Sequence, residues 1–388
     1  MRRHPLIPVL IGCALMALAC GKDGSNADTG IDLCDANTPV LAAPGGFGEE
    51  SIDFTWSGNR FGSDGPWVYR RLPDNVISVG ISVDGGEAWT GFGKLALDDD
   101  VFIDIGEDNG WSSWGGEPFF HYPTPGGTVI FPIDHDTEPT DGGCLAFWPS
   151  SYDNVDGQEG TIRLVARTGA IGGQINLNIV LVGGVEIYQE ELDAVITRID
   201  QVWSGAGGPA VGSVALWSIE GDATPVFDDY VAITSATVDG ETQSLNFFLI
   251  SYFSDEAGTL GVASGIPGPV SMTGAYGAGV VVAVDEHLNG AGTALDTSLM
   301  GETMAHEGGH QMGLFHTTES DGTRTERLDD TPNCPESADG DNDNYFSAEE
   351  CRDYDGRNFM FWVAGSFTQD EITADQTWVL NRSPATSR

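Results

Sequence analysis

Positive charge is scarce in this chain: 16 lysines and arginines stand against 59 aspartates and glutamates over 388 residues, a net of -43. Such a chain repels nucleic acid and anionic lipid surfaces, which removes both from the set of expected partners. Long apolar runs are missing as well. Beyond the first twenty residues no segment is long and apolar enough to cross a bilayer, so contact with a membrane is expected only through a lipid anchor. Cysteine is limited to six positions. Glycine, by contrast, is abundant at 53 residues, and pairs such as Gly45-Gly46, Gly115-Gly116 and Gly142-Gly143 suit a β-rich protein with many tight connections. The hydrophobic residues, 40% of the chain, are spread throughout and suffice for a core.

The first twenty residues read as an export signal over 1–19. Arg2 and Arg3 supply a positive start, Leu6 to Ala19 an apolar stretch, and Ala17-Leu18-Ala19 a run of mainly small residues ending at Cys20. The end of this leader resembles a bacterial lipobox, with Ala17 where leucine is more common. That resemblance implies a lipid on Cys20 and a place at the bacterial outer membrane or cell surface; simple secretion is the alternative. Residues 20–45, polar from Gly21 to Gly30, are expected to form a flexible tether. Four cysteines then remain, and in an oxidising compartment they suggest two disulfides, Cys34 with Cys144 and Cys334 with Cys351, the pairing that needs least wandering of the chain.

From 46 to 172, short alternating runs such as Val76 to Ile81, Val101 to Ile105 and Thr161 to Val165 are separated by Gly/Pro/Asp turns, the pattern of an all-β sandwich-like domain. His121 and His135 lie here without a catalytic constellation around them. The texture changes near Gly172. Ile175 to Val182 reads as a strand, and Gln189 to Trp203 repeats Leu192, Val195, Ile196, Ile199 and Val202 at helical spacing, opening a new α+β unit over 173–388. Further strands are expected at Val211 to Ile219, Tyr230 to Ile233, Leu245 to Phe253 and Gly279 to Val284. A second long helix is expected to run from Thr297 or Ser298, either of which can cap it, to Gln311, with Gly313 marking its end.

Inside that helix His306 and His310 stand four residues apart, on one face, where two imidazoles can meet a single ion. Glycine at 313 can take the left-handed conformation that turns the chain back and lets His316 add a third nitrogen. Three nitrogens of this kind suit catalytic zinc. Glu307, next to the first ligand, is placed to accept a proton from a water activated by the ion, as general base in peptide hydrolysis. The five-residue His-Glu-x-x-His pattern is a modest signal, but requiring Gly313 and His316 as well lowers its chance occurrence roughly four-hundredfold at this chain's own usage. Gly308 and Gly309 stand in the helix interior at a cost of up to roughly 1 kcal/mol each relative to alanine.

The stretch His306 to His316 resembles the extended zinc motif of metzincin peptidases, and Asn358-Phe359-Met360 resembles their Met-turn, with Met360 beneath the metal. Gly265-Ile266-Pro267-Gly268 ahead of Gly279-Val280-Val281-Val282, Leu314-Phe315-His316-Thr317, and Leu328-Asp329-Asp330-Thr331-Pro332 are similar to the pappalysin-like group. The likeness spans about 173–388. It implies a catalytic domain with a twisted mixed sheet, two long helices and an irregular C-terminal subdomain, the cleft lying between the two parts. Trp362 stands where many relatives carry a tyrosine, so no role of that phenol transfers.

Residues 339–350 resemble an EF-hand calcium loop: oxygen side chains at Asp339, Asp341, Asp343 and Ser347, a backbone carbonyl available from Tyr345, and Glu350 at position twelve. Asn344 replaces the usual glycine and tolerates a left-handed turn. An acidic solvated loop is the alternative. The expected function is therefore a secreted zinc endopeptidase, with calcium as a stabilising ion, acting on proteins or peptides. A non-catalytic, calcium-stabilised adhesive lipoprotein is the reading from another class. Latency is a further possibility, through a thiolate of Cys34 or Cys144 at the open zinc position.

Overall fold

The computed structural model describes residues 34–388 apart from 60, 61, 86, 87, 99, 105–123, 152, 237–242 and 273. The leader, Cys20, the first part of the tether, Ile105 and His121 lie outside the described residues. Among those described, the protein is a mixed α/β structure with three sheets and few helices.

Two antiparallel sheets make up the N-terminal half. One holds Phe47–Thr55, Glu159–Thr168, Val76–Asp84 and Gly127–Phe131 in that spatial order; the other is built around the pair Trp89–Leu97 and Cys144–Ser151. Alternation puts Val79, Ile81, Val83, Ile162 and Leu164 of the first sheet against Phe92, Leu95, Leu145 and Phe147 of the second, in one buried core. Part of the outward face of the first sheet, around Gly80 and Val165, is buried too. Met272, Ala275 and Ala278 of the C-terminal half pack on Val165, and an added side chain at Gly80 would meet Met272 Cε at 2.9 Å. The Cys34–Cys144 and Cys334–Cys351 disulfides are both formed. Neither Cys34 nor Cys144 therefore offers a thiolate, which corrects the latency possibility.

The third sheet runs Ala210–Ile219, Gln174–Val182, Leu245–Ile250, Val280–Ala283 and Gly261–Ala263. Its first four strands are parallel; the three inner ones are near-continuous, largely buried apolar runs, Ala210–Ile219 is a partly exposed edge, and the other edge strand, Gly261–Ala263, is antiparallel. Helix α1, Gln189–Trp203, makes the crossover from Gln174–Val182 to Ala210–Ile219 and buries Leu192, Val195, Ile199, Val202 and Trp203. Helix α2 is Tyr230–Thr234, where a strand was expected. Four apolar residues are too few to fix a period, and Asp228 and Asp229 favour a helix start. The hydroxyls of Thr234 and Ser235 then donate to the Val231 carbonyl at 3.0 and 2.7 Å.

Helix α3 is Thr297–Gln311, and its cap is Asp296, not Thr297 or Ser298: the carboxylate accepts from Leu299 N at 3.0 Å. Met300, Met304 and Ala305 join the core that α1 shares with Leu177, Ile179, Phe247, Leu249, Val280 and Val282. Beyond Gln311 the chain is largely irregular until helix α4, Ala374–Arg382, and the strand Thr386–Ser387, which pairs with Gln174 and Ile175.

Arg167 joins the two halves. It is 3% exposed and donates to the carbonyls of Asn381 and Gly172 at 2.7 and 2.8 Å, and of Ala170 and Ser383 at 3.1 and 3.2 Å. The Asn381 and Ser383 carbonyls keep a second donor in Gly172 N and Thr386 N, whereas those of Ala170 and Gly172 lose their donor in Arg167→Met. At about 1–3 kcal/mol for each orphaned acceptor, the substitution is expected to destabilise the protein by about 2 kcal/mol or more, measured as a fall in the urea unfolding midpoint.

Candidate metal centre

Helix α3 ends where a left-handed residue was expected. Gly313 has φ +103°, and the turn is closed by Gly313 N donating to the His310 carbonyl at 3.0 Å and Leu314 N to the Gly309 carbonyl at 2.9 Å. That reversal brings His316 back beside His306 and His310. Their ring centroids stand 4.6, 5.3 and 4.6 Å apart, and one nitrogen from each lies within 4.8 Å of the others.

Each outer nitrogen is committed. Nδ1 of His306 donates to the Phe359 carbonyl at 2.7 Å, Nδ1 of His310 to the Leu314 carbonyl at 2.8 Å, and Nδ1 of His316 to the Glu319 carboxylate at 3.0 Å. A carbonyl can only accept, so the first two rings carry the proton on Nδ1 and present a bare Nε2. Burial, followed by the neighbouring imidazoles, holds His306 down to about 3 and His310 well below the ordinary range, so both rings are neutral at pH 7. Burial raises Glu319, but the hydrogen bond and charge of His316 outweigh it and keep the carboxyl below its usual value. Nε2 of His310 and Nε2 of His316 lie 3.0 Å apart. Two nitrogens held by zinc at tetrahedral angles stand about 3.3 Å apart, so this donor set fits that ion.

Glu307 faces the same cleft. Its carboxylate accepts from Ala263 N of the edge strand at 2.8 Å, and burial pushes it up to about 7 against the opposing pull of His316 and that N–H. The strand comes this close because residue 261 is glycine: a Cβ there would stand 3.0 Å from Thr303 and 3.1 Å from Glu307. The two helix-interior glycines have the same kind of reason. A Cβ on Gly308 would meet Trp203 at 2.7 Å, and one on Gly309 would meet Met360 Sδ at 2.6 Å. Helix α3 therefore rests directly on α1 and on the turn at Met360.

That turn is held by a buried amide network. Asn358 Oδ1 accepts from Met360 N at 2.8 Å, and Asn358 and Gln376 exchange hydrogen bonds at 2.9 and 3.1 Å. Thr317 N donates to the Met360 carbonyl at 3.1 Å, tying the turn to the residue after His316. Trp362 lines a cavity of about 570 Å³ together with Leu299, Thr303, His306, Glu307 and Phe361, and its indole donates to the Phe346 carbonyl at 2.7 Å.

In the acidic loop, Asp339, Asp341 and Glu350 converge with carboxylate oxygens within 4.8 Å of one another. Asp343 is not in that group and accepts from Tyr345 N at 2.8 Å; Ser347 donates to Glu350, one of the three, at 2.8 Å. Tyr345 packs its ring edge to face on Trp362, with centroids 4.9 Å apart. Asn344 takes the left-handed conformation, φ +60°. Like charges from Asp343, with smaller contributions from Glu350 and Asp339, raise Asp341. His135, read as an isolated residue, bonds Asp375 at 2.9 Å and packs on Trp378.

Glu319, Ala263 and the Phe359 carbonyl were not singled out from sequence. A carboxylate three residues past His316 was the one available signal; backbone groups leave none.

Solved structures similar to this chain are of more than one kind, two of them named as metallopeptidases. They include archaemetzincin from Methanopyrus kandleri (16% identity, 38% of this chain and 78% of that chain, TM-score 0.27). Metalloproteinase-II from Bacteroides fragilis is also similar (14%, 57% and 63%, TM-score 0.31), as is a chaperone-substrate complex (11%, 62% and 40%, TM-score 0.29). The chain thus spans less than two thirds of the latter two, and likeness at this level leaves the functional reading to the site itself. No family model and no curated protein matches the sequence.

Behind His316, Glu326 is 5% exposed; its backbone N–H donates to the His316 carbonyl at 3.0 Å. Burial pushes its carboxyl up to about 8, against the pull of Arg324 and the Thr331 hydroxyl. The folded chain therefore retains a proton that the unfolded chain, at about 4.3, has released. Stability is greatest below the lower value and falls as pH rises toward 8, by up to about 1.4 kcal/mol per pH unit from this group. Glu326→Gln should flatten that slope in urea titrations at pH 5 to 8.

Proposed function

We propose that the protein is an exported zinc endopeptidase of the metzincin type, most similar to the pappalysin-like group, that hydrolyses extracellular proteins or peptides. The observation that carries this reading is the convergence of His306, His310 and His316 with every outer nitrogen already hydrogen bonded, beside a carboxylate that is not itself one of the three donors. In this reading the three Nε2 atoms hold zinc. Bound there, the ion supplies Lewis acidity, which lowers the pKa of a water toward neutrality and polarises a peptide carbonyl.

The chain's own groups do the rest. Glu307, aimed by the Ala263 N–H, takes a proton at its carboxylate from the attacking water and returns it to the leaving nitrogen. Strand Gly261–Ala263 is the antiparallel edge of its sheet and lies along the cleft, so an extended substrate can align there by adding a strand. The cavity beside His306 and Glu307 takes one substrate side chain. The segment Gly265 to Gly268 supports the site from behind, since Gly268 N donates to the Gln311 carbonyl at 3.2 Å. Trp362 forms cavity wall and takes no phenol-like part, its N–H being directed at Phe346.

Loss of Glu307 separates the readings. Wild-type protein is expected to contain about one zinc and to cleave a mixed peptide library, with cleavage abolished by chelator; Glu307→Gln should keep the zinc and lose about 10²- to 10⁴-fold in kcat. An adhesive protein would bind its target unchanged by that substitution and cleave nothing.

We further propose that loop 339–350 binds calcium as a stabilising ion and that a lipid on Cys20 anchors the protein at the bacterial outer membrane or cell surface, secretion being the alternative. Asp339, Asp341 and Glu350 are the residues that support the first point. Calcium should raise Tm by several degrees in wild type and leave Glu350→Gln nearly unmoved; equal response of both proteins would dismiss the site.

A further inference from the structure

We propose that a loop of the N-terminal all-β half, Ile133 to Glu138, is a positioning latch for the chain segment that carries His316; the proposal rests on the zinc-peptidase reading above. His316 is the third nitrogen donor and the only one outside helix α3. Helical geometry fixes the relation of His306 to His310, but His316 depends on whatever holds the turn at Gly313 and the residues that follow. Two kinds of contact do so within its own half. The His316 carbonyl accepts from Glu326 N at 3.0 Å, and the one proton of Thr325 Oγ1 is shared between that carbonyl, at 2.9 Å, and the Glu319 carboxylate that aims the ring, at 3.1 Å. Thr325 and Glu326 are therefore the brace of the third donor, and Arg327 follows them directly in the chain.

The β-half grips that brace. Asp134 is 8% exposed and divides its two oxygens: Oδ1 accepts from Asp136 N at 3.1 Å, closing its own turn, while Oδ2 accepts from Arg327 Nε at 2.5 Å. Thr137 locks the same turn, accepting from Ile133 N at 2.9 Å and Asp134 N at 3.1 Å. The carboxylate is thus presented by a structured loop rather than by a free surface chain. Next to it Ile133 lies against the reversal of the zinc-motif segment, where a Cβ added to Gly313 would stand 3.5 Å from its side chain. Two more residues seat the loop on helix α4: His135 through Asp375 and Trp378, and Glu138 through Arg382 at 3.1 Å. Asp375 N in turn donates to Asp330 at 2.9 Å, so the segment following the brace is held from the same side.

The segment from Gly313 to Arg327 is thus touched at both ends by one loop from outside its own half. Its job is to keep the third imidazole where the other two can share an ion with it. Asp134 and Arg327 are positioning residues, acting through the brace on His316, and neither touches substrate.

The test compares wild type with Asp134→Asn, Arg327→Ala, the double variant and Arg327→Lys. Asparagine keeps the oxygen that closes the turn and loses the acceptor for Arg327, so the loop itself stays folded. Two quantities are read: the rate of zinc release to excess chelator, and amide hydrogen exchange across 314–327 in zinc-free protein, each alongside Tm. Loss of a direct partner of a metal-bound imidazole weakens metal binding about 10- to 100-fold; one step further out, Asp134→Asn and Arg327→Ala should each speed release about three- to tenfold. The double variant should be no worse than the singles, and Arg327→Lys should recover most of the loss. Exchange should quicken in 314–327 and not in helix α1. Unchanged release and exchange, additive single effects, or a lowered Tm with release unaltered would each overturn the latch. Wild-type protein that takes up no zinc would sink the peptidase reading instead, while exchange in 314–327 still decides whether the loop holds the segment.

Discussion

Three N–H groups pointing away from the point where His306, His310 and His316 converge govern this structure. An imidazole is a useful donor to zinc only when it is neutral, correctly tautomerised and unable to swing; burial keeps His306 and His310 neutral, and the hydrogen bonds at Nδ1 fix tautomer and orientation. Two of the acceptors come from the segment just after helix α3, the Leu314 carbonyl and the Glu319 carboxylate, and the third, the Phe359 carbonyl, from the distant turn before Met360. Much of the fold can be understood as the means of bringing these acceptors to one point.

The glycines show how tightly that is done. Helix α3 tolerates two of them in its last turns at a propensity cost of up to roughly 1 kcal/mol each, because methyl groups there would intrude on Trp203 and on the sulfur of Met360. The packing that forbids alanine also presses the helix onto its neighbours, and so sets the height of His306 and His310 above the turn. Gly261 repeats the logic from the sheet side, drawing an edge strand near enough for its backbone to orient Glu307.

Parts of this were open to reading from residue order. Helix α1 appears with the bounds its apolar spacing predicts, because Leu192, Val195, Ile199 and Val202 fill a stripe long enough to define a period. Both disulfides join the cysteines that chain economy favoured. The run at 230–233 misled, since four apolar residues fit a strand as well as one helical turn, and the hydroxyls that decide between them act locally. Supports of the site were less visible still. Carbonyls of Phe359 and Leu314 have no side-chain signature, and the pairing of Asp134 with Arg327 joins residues 193 positions apart. Charge alone, in so acidic a chain, could not have singled that carboxylate out.

The order of these parts along the chain has a consequence for biosynthesis. The His-Glu-x-x-His segment is made well before Asn358, Gln376 and the strand Thr386–Ser387, which returns to pair beside the first strand of the third sheet. A growing chain that has only reached the zinc motif has no Phe359 carbonyl to orient His306 and no Met360 against Gly309. Completion of the three-histidine site is therefore a late event in synthesis, withheld by topology until the final helix has docked.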